Sequence, residues 1–314
     1  MPELLTEPRA ATGRIRRTAP SRPPRPHWRK QVVPYAFLLP SAVLFLLFGL
    51  IPIGAAVVFS TLTGSVTVSP QFVGVDNYTR LFTDPLFWES LRNTAVFTVG
   101  TVPVAMGLGL FLATLLNRPL PGRVVFRTLL FAPMVASGVG VAVIMSWIFN
   151  GDYGVINNGL EAVGVPRVPW LTSTSWAMPT VILAVLWSRV GFCMVLYLAA
   201  LQNVPESLME AAQLDGANPW QRFRNVTWPL LAPTTFFLLI VNVVFSLQVF
   251  DLLFVLTGGG PGFATTVLIQ FVYRAAFAQG DMGYASAGGV VLALILVIFT
   301  LLRFRVGRRT EDIA

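Results

Sequence analysis

Two apolar stretches of this 314-residue chain carry side chains suited to holding a polyhydroxy compound. Trp187, Ser188, Arg189 and Tyr197 lie in one stretch; Asn242, Ser246, Gln248 and Asp251 lie in the other. Serine and asparagine supply donors and acceptors for hydroxyl groups, and an indole offers a face to a sugar ring. Asn242 and Ser246 are four apart and so share a helix face. Arg189 admits two readings. One is a contact for a phosphorylated substrate. The other, preferred here, is a structural ion pair with Asp251.

Other chemistries are excluded by residue type. The chain has one histidine, His27, one cysteine, Cys193, and one lysine, Lys30. No intrachain disulfide can form, and a histidine-based metal site or catalytic triad is ruled out. Lys30 stands in HWRK, so there is no G-x-x-x-x-G-K-[ST] phosphate loop. The chain cannot power itself with ATP by that machinery. No catalytic or metal-ligating residues are assigned.

The elements that position these side chains follow from composition. Hydrophobic residues make up 55% and charged residues 11%, with a mean hydropathy of +0.70. Soluble domains carry about 25% charged residues. An all-α polytopic membrane protein is therefore expected, with spans near 35–60, 93–116, 126–149, 177–201, 231–256 and 284–303. The spans occupy residues 34–305. Residues 1–33, rich in proline and arginine, are expected to be a disordered cytoplasmic tail, and residues 306–314 a second tail. The first apolar run comes too late and runs too long for a cleaved signal peptide. Nucleic-acid binding by the N-terminal tail is the sharper alternative to a cytoplasmic anchor, and the anchor is preferred; the charge of +8 is then a matter of topology.

Arginine placement orients the chain. With both termini inside, the inner segments hold Arg118, Arg123, Arg127, Arg222, Arg224, Arg303, Arg305, Arg308 and Arg309 besides the basic tail. The outer segments hold Arg80, Arg92, Arg167 and Arg274. Positive residues concentrate on the cytoplasmic side of bilayers. The outer loops, 61–92, 150–176 and 257–283, are too short for independent domains. TGGGPG opens the last as a flexible turn, and Thr265 or Thr266 is expected to cap a short helix lying along the membrane surface or dipping into a vestibule. Ser137, Gly138, Gly140 and Ala142, and Gly288 with Gly289, suit either a moving interface or ordinary helix packing.

Residues 202–230 form a polar island between spans four and five. Pro205 suits a first helical turn, and residues 206–214 favour helix. Gly216 permits a bend. Asn218 followed by Pro219 is a cap and first-turn pair for a second helix, and Pro229 and Pro233 end it. Helices merely resting on a membrane would be richer in lysine and arginine and need no Asp-Gly bend. A docking element explains both features.

The run EAAQLDGA, with Phe223, Pro229 and Pro233, resembles the E-A-A-x-x-D-G-A loop of the integral membrane subunits of binding-protein-dependent ABC importers. Phe250-Asp251 followed by VLTGGGPGFATTVLIQFVYRAAF resembles the region before the last span in their sugar-type permeases. The narrower likeness is to maltose, multiple-sugar and glycerol-3-phosphate systems, over roughly residues 34–305. The resemblance implies a type I importer permease fold in a bacterial plasma membrane. It also implies a second permease subunit, two cytosolic P-loop ATPases carrying the ATP and Mg²⁺, and an extracytoplasmic binding protein delivering a sugar or polyol; glycerol-3-phosphate or a glycerophosphodiester is the alternative cargo. Carried over by position, Glu210, Ala211, Ala212, Asp215, Gly216 and Ala217 are the ATPase-coupling residues. Asn242 and Ser246 are the positions most supported as substrate contacts. An ion-coupled secondary transporter is the competing class; it calls for ionisable residues in several spans, and only Arg189 and Asp251 qualify.

Overall fold

The computed structural model describes residues 27–63 and 71–311. The expected tail over 1–33 falls largely outside these residues, as do residues 312–314. The chain divides into two units, residues 1–53 and 54–314. In the first, α1 (His27–Phe45) passes through a π turn at Leu46–Leu50 into α2 (Ile51–Phe59), which runs on into the second. The π turn closes with Ile51 N–H donating to the Leu46 carbonyl, one residue before Pro52. Proline has no N–H and its ring clashes with the carbonyl four residues back. Widening the preceding turn relieves that clash.

In the second unit, β1 (Leu62–Thr63) pairs antiparallel with β2 (Gln71–Phe72), Leu62 opposite Phe72. Then come α3 (Asp76–Thr83), α4 (Pro85–Leu116), α5 (Arg123–Val135), α6 (Gly138–Ile148), α7 (Val155–Ala162) and α8 (Thr174–Gln202). The second half holds α9 (Glu206–Leu214), α10 (Pro219–Arg222), α11 (Trp228–Leu230), α12 (Ala232–Gln248), α13 (Asp251–Leu256), α14 (Leu268–Tyr273) and α15 (Met282–Glu311). A second π turn, Phe223–Thr227, closes onto Trp228 N–H one residue before Pro229, the same device as at Pro52.

Among the described residues four helices are long and apolar enough to span a membrane: Phe37–Phe59, Pro85–Leu116, Thr174–Gln202 and Met282–Arg303. The expected continuous third and fifth spans are each broken. The third bends by 105° between Arg123–Val135 and Gly138–Ile148. Ala136 and Ser137 are extended there, and Ser137 Oγ accepts from Gly140 N–H at 3.1 Å, capping the restart. Of the small-residue cluster noted in the sequence, Ser137 and Gly140 therefore serve a helix start. The chain bends by 64° between Pro219–Leu230 and Ala232–Gln248, and α12 stops at an extended Val249 before α13. A span broken in this way must satisfy its freed backbone groups from neighbours or side chains.

The second unit is built on α4 and α8, which pack along their length. Their backbones approach closely at glycines. A Cβ on Gly109 would stand 2.5 Å from Cys193 Cβ, and one on Gly191 would overlap the Leu130 carbonyl of α5. α12 lies against α4, α8 and α15, and α13 packs on α6. Phe97, Ala113, Val181, Ala184, Met194, Leu238 and Leu253 fill the space between them, fully buried. Other large apolar side chains remain exposed on α4, α5, α8 and α15, including Phe111, Leu129, Leu183 and Leu301. In water such a surface would be an interaction site; here lipid or a partner subunit is its natural solvent.

The segments expected outside, 61–92, 150–176 and 257–283, contain ordered elements among their described residues. Residues 61–92 contain the hairpin, α3 and the start of α4, whose N-cap Asp84 accepts from Leu86 N–H at 2.8 Å. Tyr284 donates to the other Asp84 oxygen at 2.6 Å, and Arg80 pairs with Asp281 at 2.6 Å, joining this segment to the start of α15. Asn157 is fully buried and bonds Gly151, Val168 and Trp170, closing the 150–176 loop around α7. The glycine loop is not a flexible turn: Thr265 and Thr266 are fully buried and donate to the Gly260 and Gly259 carbonyls. They do not cap the following helix. That helix, α14, takes its cap from another one, since Leu268 N–H donates to Thr94 Oγ1 of α4 at 2.8 Å. It packs against α4 and α15, with Leu268, Gln270 and Phe271 buried, rather than on a surface. Of the two late glycines, Gly288 meets Val272 and Phe271, while Gly289 faces open space.

The close approach at Gly191 generates a prediction. Gly191→Ala places a methyl against backbone that has no room to yield, so it should cost about 1–3 kcal/mol, the range for overpacking. Gly289→Ala should be neutral or slightly stabilising, because alanine is the better helix former. Thermal unfolding of the purified protein in detergent compares them; equal melting temperatures for the two variants would contradict the packing described.

Candidate functional site

The polar island folds as α9, a tight turn and α10. Gly216 N–H donates to the Gln213 carbonyl (3.0 Å) and Ala217 N–H to the Ala212 carbonyl (2.9 Å). This pattern is the Schellman ending, which requires a left-handed residue. Gly216 supplies it at φ +78°, with open space where a Cβ would stand. The glycine is there for conformation and not for clearance. Asn218 then caps α10: its Oδ1 accepts from Gln221 N–H (2.9 Å) while Gln221 Oε1 accepts from Asn218 N–H (2.8 Å). Pro205 sits one residue earlier than expected, at the N-cap of α9.

Of the six residues expected to couple to an ATPase, Glu210, Ala211, Asp215 and Gly216 are exposed, and Ala212 and Ala217 are half-buried. Among the described residues neither Glu210 nor Asp215 forms an ion pair. Leu214 and Trp220 are 88% and 67% exposed beside them. An apolar side chain left so open on a charged turn suits a partner surface. Behind this face, Arg222 Nη1 donates to Gln213 Oε1 (3.3 Å), and Thr227 Oγ1 reaches Met209 Sδ at 3.8 Å. The turn is thereby fastened to the segment that leads into α12.

Inside the bundle, the structure brings some of the expected pathway residues together and separates others. Arg189 is 5% exposed and donates from Nε (3.3 Å) and Nη2 (3.0 Å) to Asn242 Oδ1. Its plane lies over Phe245, 4.0 Å from the ring centre, with Phe192 at 4.8 Å. Asn242 returns its amide to the Leu238 carbonyl (2.8 Å) and to Cys193 Sγ (3.4 Å). One turn along α12, Ser246 Oγ meets Thr98 Oγ1 of α4 at 3.0 Å. Tyr197 is buried two turns from Arg189 on the same side of α8.

The ion pair expected between Arg189 and Asp251 is not made. Asp251 opens α13, and its carboxylate lies against Gly138, where any Cβ would overlap it. That position is the first turn of α6, which favours a negative charge. Trp187 is 43% exposed, because two residues along a helix turn it about 200° away from Arg189. Ser188 Oγ bonds its own helix at Val185 (3.0 Å), and Gln248 is exposed at the end of α12. Thr98, Cys193 and Met134, which complete the buried cluster, are not singled out by sequence reasoning. A threonine at Thr98 on an apolar helix was the one legible signal.

A multi-helix membrane bundle with broken spans, a buried polar cluster and an exposed helix–glycine–helix turn defines a transport component. The chain belongs to the family of binding-protein-dependent transport system inner membrane components, whose profile matches residues 105–312. It is 36% identical to the sulfoquinovosyl glycerol transport system permease protein SmoG of Agrobacterium fabrum, over 88% of this chain and 90% of that one. It is 37% identical to the lactose transport system permease protein LacF of Rhizobium radiobacter (88% and 94% covered). Against the sn-glycerol-3-phosphate transport system permease protein UgpA of Yersinia pestis the identity is 35% (90% and 96% covered). Among solved structures, a bacterial alginate ABC transporter in complex with an alginate pentasaccharide-bound periplasmic protein superposes with a TM-score of 0.80. The identity there is 27%, over 90% of this chain and 96% of that one. The protein is thus a multi-pass inner-membrane permease subunit of an ABC importer, with the type I permease fold.

Removing the acceptor beneath Arg189 tests the buried cluster. Asn242→Leu leaves a guanidinium facing hydrocarbon, and hydrogen bonds to charged groups contribute about 1.5–3 kcal/mol. Asn242→Asp keeps an acceptor and should retain most of that stability. Thermal unfolding of the two variants in detergent checks the order; a leucine variant as stable as the wild type would contradict it.

Proposed function

We propose that this subunit passes a sugar or related polyol inward by alternating access, driven by two cytosolic P-loop ATPases docked on α9 and α10. A second, different permease subunit completes the pathway, and an extracytoplasmic binding protein delivers the cargo. The observation that carries the reading is the exposed Glu210–Gly216 turn, whose two carboxylates form no ion pair among the described residues and beside which Leu214 stands open. The coupling residues are Glu210, Ala211, Ala212, Asp215, Gly216 and Ala217. ATP and Mg²⁺ reside on the ATPase chains.

The arginine distribution supports both termini, and this turn, on the cytoplasmic side. Motion of the ATPases is received at α9 and passes through the Thr227–Met209 and Arg222–Gln213 contacts into α12. That helix carries Asn242 and Ser246, the substrate-facing residues in this reading, beside Arg189 and Tyr197. The cargo class rests on relatives named for sulfoquinovosyl glycerol, lactose and sn-glycerol-3-phosphate transport, and on an alginate importer.

Gly216→Pro should uncouple transport, since proline cannot adopt φ +78° and removes the N–H bonded to Gln213. Glu210→Lys should do the same by reversing the charge offered to the ATPase. Both proteins should still insert and assemble. In proteoliposomes holding the full importer and its binding protein, ATP-dependent sugar uptake should fall about tenfold or more. Such a loss corresponds to at least ~1.4 kcal/mol of coupling. Normal uptake and normal stimulation of ATP hydrolysis by loaded binding protein would overturn the assignment.

A further inference from the structure

We propose that Arg189 is an anion-recognising residue of the pathway, binding a carboxylate, sulfonate or phosphate group of the cargo, and that Met134 covers this site between transport events. The proposal rests on the reading above, that cargo passes beside α8 and α12. It goes further by naming the acidic group and the residue that reads it.

The donors of Arg189 are underused. A guanidinium carries five N–H groups and has no acceptor capacity. Two of them converge on the single oxygen of Asn242, and a third, on Nη1, points at Met134 Sδ at 3.8 Å. A thioether is a weak acceptor. The remaining two have no acceptor among the described residues.

Its charge is also unanswered. Among the described residues the ion pairs are Arg80–Asp281 and Arg167–Glu161, both away from this cluster. Asp251, the acidic residue expected to neutralise it, is held at Gly138. A side chain 5% exposed at membrane depth therefore keeps a full positive charge against an amide and two aromatic rings. Such a charge is costly and marks a functional site by default. Phe245 and Asn242 orient the guanidinium plane without neutralising it. A fixed plane with free N–H groups is what forked recognition of an oxyanion requires.

The cover has a hinge. Met134 is in the last turn of α5, next to the 105° break before α6. One turn earlier the Leu130 carbonyl is pressed against Gly191, which holds α5 to α8 at that crossing. The end of α5 beyond the crossing can swing while the crossing itself stays. A methionine there is easily displaced, because its side chain is flexible and its contact with Nη1 is weak.

Cys193 is a built-in reporter. It is the only cysteine in the chain, one turn from Arg189, and its Sγ already accepts from Asn242. Thiol-labelling during ATP turnover compares anionic 2-sulfonatoethyl methanethiosulfonate with cationic 2-(trimethylammonio)ethyl methanethiosulfonate. In each case the Cys193 thiolate attacks the sulfenyl sulfur, an S–S bond forms and methanesulfinate leaves. Rates are taken on the assembled importer and normalised to those with a small free thiol. The sulfonate reagent should be favoured by about tenfold or more, the lower end of electrostatic enrichment in a charged cleft. Arg189→Gln should bring the ratio close to one, and Arg189→Lys should keep a clear anionic preference. Met134→Ala should speed the sulfonate reagent in resting protein. Equal rates for the two reagents in the wild type, an unchanged ratio in Arg189→Gln, or no labelling of Cys193 during turnover would each overturn the proposal. Sugar uptake by the same preparation separates the two readings. Charge selectivity without uptake would refute the sugar-import reading alone, and uptake without selectivity would refute the anion site alone.

Discussion

A bilayer interior has no water to satisfy a broken backbone hydrogen bond, and this constraint governs where the helices of this permease can stop. The 105° break before α6 is capped by Ser137. α14 begins under Thr94 of a different helix. The turns before Pro52 and Pro229 widen so that the ladder continues up to the proline. The breaks are built features with partners.

The same economy shapes the core. α4 and α8 approach through Gly109, and α5 crosses α8 at Gly191, so their backbones rather than long side chains make the contact. One group of polar side chains lies where α4, α8 and α12 meet. Thr98, Ser246, Asn242, Cys193 and Arg189 are linked there in pairs by hydrogen bonds. The outward faces of the long helices remain apolar, as lipid demands.

The coupling turn and this patch are physically connected. α9 is fastened to the segment after α10 by Thr227–Met209 and Arg222–Gln213, and that segment continues into α12, which carries Asn242 and Ser246. In the proposed reading, a displacement of α9 would be carried toward the polar cluster through these contacts. α5, with its break and Met134, lies on the opposite side of Arg189 from α12. The guanidinium stands between α12 and the end of α5.

Much of this was legible in residue types alone. A low charged fraction, long apolar runs and the placement of arginines specify a polytopic helical protein, because each depends only on local transfer cost. The Gly216 bend and the Asn218 cap are likewise local, since one residue's φ preference and one side chain's reach decide them. What tertiary structure decided was everything that depends on a distant partner. Spans three and five are apolar enough to read as continuous; their breaks exist because Ser137 has Gly140 to cap and because α13 packs on α6. Thr265 and Thr266 look like helix caps, but the loop folds back and Thr94 takes that role. Arg189 and Asp251 are the obvious ionic pair by composition, yet packing sends Asp251 to Gly138 and leaves Arg189 to Asn242. Hydrophobicity and turn propensity are properties of a residue and its neighbours in sequence, whereas the partner of a buried polar group is set by which helices meet around it.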